Sequence, residues 1–258
     1  MKKLMFAAAV AATAGIAGAI ESANTVGYTT QTVPNNTFAM VGVQFEGVGT
    51  SNGEIAINDF ITGDIGGTDY DDADEFLDTA TEIQVWGGYG YTFYYYLNAH
   101  DAYAQGWCDD WGDYTTDTLA AGTAVWYHDR TGGSTITTPG QVVTSAQPEV
   151  VVPNNTFMMA ANFKPIELQL NDATQITFDG IVGTPYDDGD EFLDTATEIQ
   201  VWGGYGYTFY YYLTAHDGNP AGWCDDWGDY LDPESATGIP AGRGFWAHAR
   251  TGAFTISF

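Results

Sequence analysis

Three clusters of side chains in this sequence have types and spacing that could do chemistry, and each occurs twice. The first is acidic: Asp69, Asp71, Asp72, Asp74 and Glu75, followed by Asp78, and again Asp187, Asp188, Asp190 and Glu191, followed by Asp194. Hard cations such as calcium take six to eight oxygens from carboxylates and carbonyls, often on a loop with glycine. Asp188-Gly189-Asp190-Glu191 suits that geometry. Crowded carboxylates also repel one another unless a cation sits among them. The spacing is not that of an EF-hand loop, and a solvated acidic loop is the plain alternative.

The second cluster is aromatic. Trp86, Tyr89, Tyr91, Tyr94 and Tyr96 recur as Trp202, Tyr205, Tyr207, Tyr210 and Tyr212. Exposed aromatic platforms suit sugar rings and partner surfaces, and buried ones are simply core. The interface or ligand set read here is Trp86, Tyr89, Tyr94 and Tyr96 with Trp202, Tyr205, Tyr210 and Tyr212. For Trp86, together with Phe93 and Tyr95, burial in the core is the competing reading.

The third cluster is Trp107-Cys108-Asp109-Asp110-Trp111 with His100 nearby, repeated through His216, Cys224 and Asp225. It offers two nitrogen or sulfur ligands per copy, fewer than the three or four that zinc takes. The acidic neighbours should raise the thiol pKa and suppress the thiolate, which argues against a catalytic cysteine. A Cys108–Cys224 disulfide requires the two equivalent sites to meet face to face. Intermolecular bonds and two buried thiols are the alternatives.

No serine-hydrolase elbow, zinc-protease helix motif or phosphate-binding loop is present. Carboxylate pairs could hydrolyse glycosides, but carboxylates are so abundant here that a pair carries little information. The reading is a non-catalytic protein.

The elements that must position these clusters follow from the repeat itself. Residues 74–97 and 190–213 are the same 24 letters, 116 positions apart, and Gly106–Tyr114 recurs at Gly222–Tyr230 with the same offset. That period is far longer than a solenoid unit. The expected organisation is a signal peptide over 1–19, one module over 20–145 and a second over 146–258.

Each module opens with a β-type stretch ending in Val-Pro-Asn-Asn-Thr-Phe, and Pro-Asn-Asn predicts a turn. Thr81–Trp86 and Tyr91–Leu97 flank Gly87-Gly88-Tyr89-Gly90 and predict a hairpin. Further strands are expected at Leu119–Trp126 and Ser134–Thr138, and a short helix around Ile57–Thr62. About six short strands per module and no long amphipathic helix predict an all-β protein of two tandem sandwich or small-barrel domains.

The full sequence carries 34 acidic and 6 basic residues, a net charge of −28. Such a field repels nucleic acid and anionic membranes and attracts cations. The chain is 45% hydrophobic and 15% aromatic, which excludes an acidic disordered polymer. Lys2 and Lys3, the apolar run Leu4 to Ile16 and Ala17-Gly18-Ala19 read as an export signal. No later run is apolar for long enough to span a bilayer as a helix. The expected location is the cell surface or the medium, or the periplasm.

The order of the export segment, Ser22-Ala23-Asn24-Thr25-Val26-Gly27-Tyr28, the Pro-Asn-Asn-Thr-Phe strand, Ile83-Gln84-Val85-Trp86 and Ile239-Pro240-Ala241-Gly242-Arg243-Gly244-Phe245-Trp246 resembles a group of exported bacterial β-rich proteins with one or two such modules. The resemblance implies export and a β fold and adds no functional residue. The first module departs from the last motif, with Thr123-Ala124-Val125 before Trp126.

The function these features point to first is a structural, self-assembling surface or fibre protein whose modules pack or polymerise through aromatic hairpins, with other copies of itself as partner. The alternative is an extracellular polysaccharide-binding protein, assisted by calcium.

Overall fold

The computed structural model describes residues 26–50, 52–71, 73, 75–143, 148–187, 191–234 and 238–258. The expected export segment lies outside them, as do Asp72, Asp74, Asp188 and Asp190. The described chain is antiparallel β-sheet with three one-turn helices. No described helix is long and apolar enough to cross a membrane.

The first half contains β1 (Val26–Val33), β2 (Thr37–Gly42), β3 (Phe45–Glu46), β4 (Glu54–Ala56), α1 (Ile57–Phe60), β5 (Thr62–Asp64), α2 (Phe76–Thr79), β6 (Glu82–Trp86), β7 (Tyr91–Leu97), β8 (Gly106–Cys108), β9 (Thr118–Ala120), β10 (Ala124–Asp129) and β11 (Ser134–Val142). The second contains β12 (Glu149–Val152), β13 (Phe157–Ala161), β14 (Thr177–Asp179), α3 (Phe192–Thr195), β15 (Glu198–Trp202), β16 (Tyr207–Leu213), β17 (Gly222–Cys224), β18 (Gly244–His248) and β19 (Phe254–Ser257).

A five-stranded sheet, β2-β10-β6-β7-β8, faces a smaller one built on β1-β11-β3 with β5 also paired to β11. The second half repeats this as β13-β18-β15-β16-β17 over β12-β19-β14. None of these sheets closes into a barrel. The first half holds more strands than the six expected, because short ladders such as β4–β9 join segments that show no alternation of their own. The expected strand Leu119–Trp126 breaks in two at Gly122, whose φ of +88° turns the chain between β9 and β10.

Local chemistry accounts for the turns. Asn36 and Asn155 take φ of 54° and 55°, and the Thr37 and Thr156 hydroxyls each donate to the proline carbonyl three residues back at 2.6 Å. Asparagine tolerates this left-handed backbone where most residues do not. The hairpin pairs Ile83 with Tyr94 and Trp86 with Tyr91, and Gly87 N–H donates to the Gly90 carbonyl at 2.8 Å.

Each half has its own apolar core between its two sheets. Ile83, Tyr94, Trp107, Val125, Tyr127 and Ile136 belong to the first, and Ile199, Tyr210, Trp223, Phe245, Phe254 and Ile256 to the second. A third cluster joins the halves: Met40, Ala124 and Trp126 meet Met159, Ala161 and Trp246, with Trp86 and Trp202 packed against them. The contacts are reciprocal. Gly42 N–H donates to the Gly242 carbonyl at 2.9 Å, and Ala161 N–H to the Gly122 carbonyl at 2.8 Å. Val41 bridges to Arg243, and Thr123 to Ala160. Equivalent surfaces meeting in this way give an isologous interface inside one chain.

Candidate functional site

The acidic loop leads into a helical turn and is tied to it. Asp71 accepts three backbone N–H groups, from Ala73 at 3.0 Å, Glu75 at 2.9 Å and Phe76 at 3.1 Å. Asp187 accepts the Glu191 N–H at 2.9 Å in the second half. These bonds satisfy amide groups that a helix start leaves open. Asp69 accepts from the Asn98 amide at 2.7 Å. Among the described residues no three histidine, cysteine, aspartate or glutamate side chains converge to hold a metal ion.

The aromatic hairpin is divided between two burials and solvent. Tyr94 and Tyr210 lie in the cores, and Tyr96 and Tyr212 pack against them. Tyr94 donates to Asp117 at 2.6 Å, and burial raises its pKa far above the usual phenol value, with the Asp117 hydrogen bond adding to it. Tyr94 and Tyr210, read as interface residues, are core residues of their own halves, while Tyr96 and Tyr212 are half-buried beside them. The strand period sets which residues share a face, and the facing sheet takes the Tyr94 face. Phe93, expected in the core, is 38% exposed on the opposite face.

Trp86 and Trp202 form the contact between halves. Trp86 Nε1 donates to the Phe157 carbonyl at 2.7 Å, and Trp202 Nε1 to the Phe38 carbonyl at 3.1 Å. Tyr89 and Tyr205, at the hairpin tips, are 97% and 100% exposed.

The Trp-Cys-Asp-Asp-Trp segment splits in the same way. Trp107 and Trp223 are fully buried, while Trp111 and Trp227 stand 77% and 78% exposed. The turn that carries Trp111 is held by Asp109, which accepts the N–H of Trp111 at 2.9 Å and of Asp113 at 3.0 Å. Asp225 does the same for Trp227 and Asp229, both at 2.9 Å. His100 stacks on Tyr70 at 4.8 Å, and its two ring nitrogens sit 2.8 Å from the Asn98 and Gly112 carbonyls. His216 repeats this against Tyr186, Thr214 and Gly228. Both nitrogens are thus turned to backbone carbonyls and away from any metal. Gly112 has φ +81°, and a methyl there would come within 2.3 Å of the Tyr70 ring, so only glycine fits.

Cys108 and Cys224 are free thiols buried in separate clusters, the buried-thiol alternative rather than the disulfide. The halves meet through β2, β10, β13 and β18, whereas the cysteines lie on β8 and β17 at the far edges of their sheets. Burial first, then Asp109 and Asp113, push Cys108 up to about 11; burial with Asp225 and Asp229 pushes Cys224 up to about 12.

A buried ionic group escaped the sequence reading. Glu82 is 2% exposed and pairs with Arg130 at 3.1 Å, beside His128, whose ring stacks on Phe38 at 3.9 Å. Glu198, Arg250, His248 and Phe157 repeat it. Arg130 Nε lies 3.1 Å and Glu82 Oε1 3.3 Å from the same nitrogen, His128 Nδ1. That nitrogen accepts from the guanidinium in the neutral ring or donates to the carboxylate in the charged one. Burial lowers the His128 pKa against the Glu82 contact and favours the neutral ring. The signal was present as His-x-Arg at 128–130 and 248–250. Asn58 and Asn171 were missed as well: the side-chain amide of each donates to the carbonyl of the tryptophan in its Gly-Trp-Cys strand and accepts that residue's N–H, from Trp107 at 2.7 Å and from Trp223 at 2.8 Å.

No protein family, curated protein or solved structure matches the chain.

Proposed function

We propose that this is a non-catalytic glycan-binding protein with two equivalent platforms, Trp111 and Trp227. The observation that carries the reading is that both indoles stand more than three-quarters exposed on turns stiffened by Asp109 and Asp225. An indole presents an apolar face suited to the C–H face of a sugar ring, and holding it rigid lowers the entropy cost of binding. Exposed Asp110 and Asp113, and their counterparts Asp226 and Asp229, supply acceptors for sugar hydroxyls beside each indole.

Self-assembly through the hairpins is less well supported. Trp86 and Trp202 are engaged within the chain, and a net charge of −28 opposes association of identical copies. A neutral glycan meets no such repulsion.

Pull-down on cellulose, chitin and mixed-linkage β-glucan tests the proposal. Retention on at least one polymer is expected. It should weaken by roughly tenfold or more in Trp111→Ala or Trp227→Ala, because two linked sites bind one polymer by avidity, and vanish in the double variant. Retention unchanged in the double variant, or none on any polymer, sinks the proposal. A parallel run with chelator reports on calcium, and light scattering of the unbound protein on self-association.

A further inference from the structure

A cleft of about 340 Å³ opens between the halves, at the lower end of the volume range of small-ligand sites. Its walls come from β1, β2 and the Pro34 turn on one side, and from the second hairpin with the approach to β18 on the other. Gln31, Phe38, Trp202, Thr208 and Arg243 are among its lining residues.

Arg243 is unusual in this chain. Arg130 and Arg250 are paired with Glu82 and Glu198, and Lys164 donates to the Gln175 carbonyl. Among the described residues no carboxylate lies within ion-pair distance of the Arg243 guanidinium, in a chain with 34 acidic residues. Its backbone is fixed, since Asn162 N–H donates to its carbonyl at 2.9 Å and Val41 bridges to it. The equivalent residue across the pseudo-symmetric interface is Thr123, which bridges to Ala160. The cleft thus carries a cation that its symmetry mate lacks.

We propose that this cleft binds a uronate, a polyhydroxylated ring bearing one carboxylate, with the carboxylate on Arg243 and the ring against Trp202. A guanidinium meets a carboxylate through two parallel N–H···O bonds, which fixes orientation as well as charge. The Gln31 amide and the Thr208 hydroxyl offer donors and acceptors for ring hydroxyls, which an aliphatic acid would leave unused. Burial works against the Arg243 charge and pulls its pKa below the ordinary value, so a counter-charge gains more there than at open surface. The −28 field repels an extended polyanion, which confines the ligand to a single uronate or a chain end. This cleft does not depend on Trp111 or Trp227.

Ligand-observed NMR titration of the purified protein with sodium glucuronate tests the proposal, with glucose and sodium acetate as the uncharged-ring and ringless comparisons. Saturable glucuronate binding is expected, about tenfold or more weaker in Arg243→Gln, as the loss of a charge-assisted hydrogen-bond pair implies. Glucose and acetate should each bind at least about tenfold more weakly than glucuronate. The Trp111→Ala/Trp227→Ala double variant should bind glucuronate as the parent does, which separates this cleft from the platforms. Absence of saturation, equal affinity in Arg243→Gln, or acetate binding as tightly as glucuronate each overturns it. Should Arg243→Gln fail to fold by circular dichroism, Arg243→Lys keeps the charge and loses the paired geometry, and must still weaken glucuronate severalfold.

Discussion

Trp126 of the first half and Trp202 of the second stand edge to face with ring centroids 5.7 Å apart, and Trp86 and Trp246 repeat the contact at 5.6 Å. The edge of one indole carries partial positive charge and the face of the other negative, so the arrangement is attractive beyond the area it buries. What lets the four rings meet is the smallness of the residues between them. A methyl on Gly244 would sit 2.5 Å from Ala124 Cβ, and one on Gly42 would sit 2.7 Å from Ala161 Cβ. Gly244→Val should therefore destabilise the chain by about 1–3 kcal/mol, the usual range for overpacking. Trp202→Ala should cost about 2–4 kcal/mol by cavity formation. Urea unfolding followed by tryptophan fluorescence checks both, and a Gly244→Val midpoint equal to the parent's would show that the halves do not depend on this contact.

The hairpin was legible in the sequence because its two runs alternate and its turn is nearly all glycine. Its burial was not. Tyr94 and Tyr95 point to opposite faces, and both faces are aromatic, so periodicity defines two candidate core faces without choosing between them. The facing sheet covers the Tyr94 face with Ile136 and Val33, far away in sequence, while the Tyr95 side is covered by Phe76 of the short helix before the hairpin. The Glu82–Arg130 pair was hidden for the same reason, since 48 residues separate the partners. Asn58 and Asn171 escaped because the segments around them differ, though Ile57-Asn58-Asp59 and Leu170-Asn171-Asp172 are alike. Trp107-Cys108, weighed as a metal or thiol site, is a buried strand at the edge of its sheet.

Both thiols should be silent in the native protein. A thiolate is the reacting species, and values pushed up to about 11 and about 12 leave almost none at neutral pH. Treatment with a thiol-specific chromogenic reagent should give no release until denaturant is added, and then two equivalents per chain, matching the two cysteines. Early release of either equivalent would contradict the burial.

The two buried core tryptophans are not equivalent. Trp107 Nε1 donates to the Ile61 carbonyl at 3.3 Å, whereas Trp223 Nε1 is buried with no acceptor among the described residues. An unmet buried donor is itself a cost, so removing it recovers part of what the lost ring volume takes away. Trp107→Phe should therefore destabilise by about 1–2 kcal/mol more than Trp223→Phe, although both remove the same atoms. Equal shifts in the urea midpoint would contradict this.

The histidines should pull stability in opposite directions as pH changes. Burial lowers the His216 pKa, but the Thr214 and Gly228 carbonyls and then Asp217 and Asp229 outweigh it, so the net shift is upward from 6.5. A raised value means the folded state holds the proton more tightly: this stabilisation is full below 6.5 and is lost as pH rises through the folded value. His128 is shifted the other way, by burial. The unfolded chain then takes the proton more readily, so its contribution is full above 6.5 and is lost as pH falls through the folded value. Glu198 adds to the second trend further down: burial raises its pKa, but bonds from His248 and Gln200 and the Arg250 charge leave it below 4.5, so its stabilisation is lost on acidification through that lowered value. Thermal unfolding from pH 5 to 8 should accordingly show His216→Gln losing most stability, relative to the parent, at the acid end. His128→Gln should differ most from the parent at the alkaline end, and matching pH profiles for the two variants would contradict the assignment.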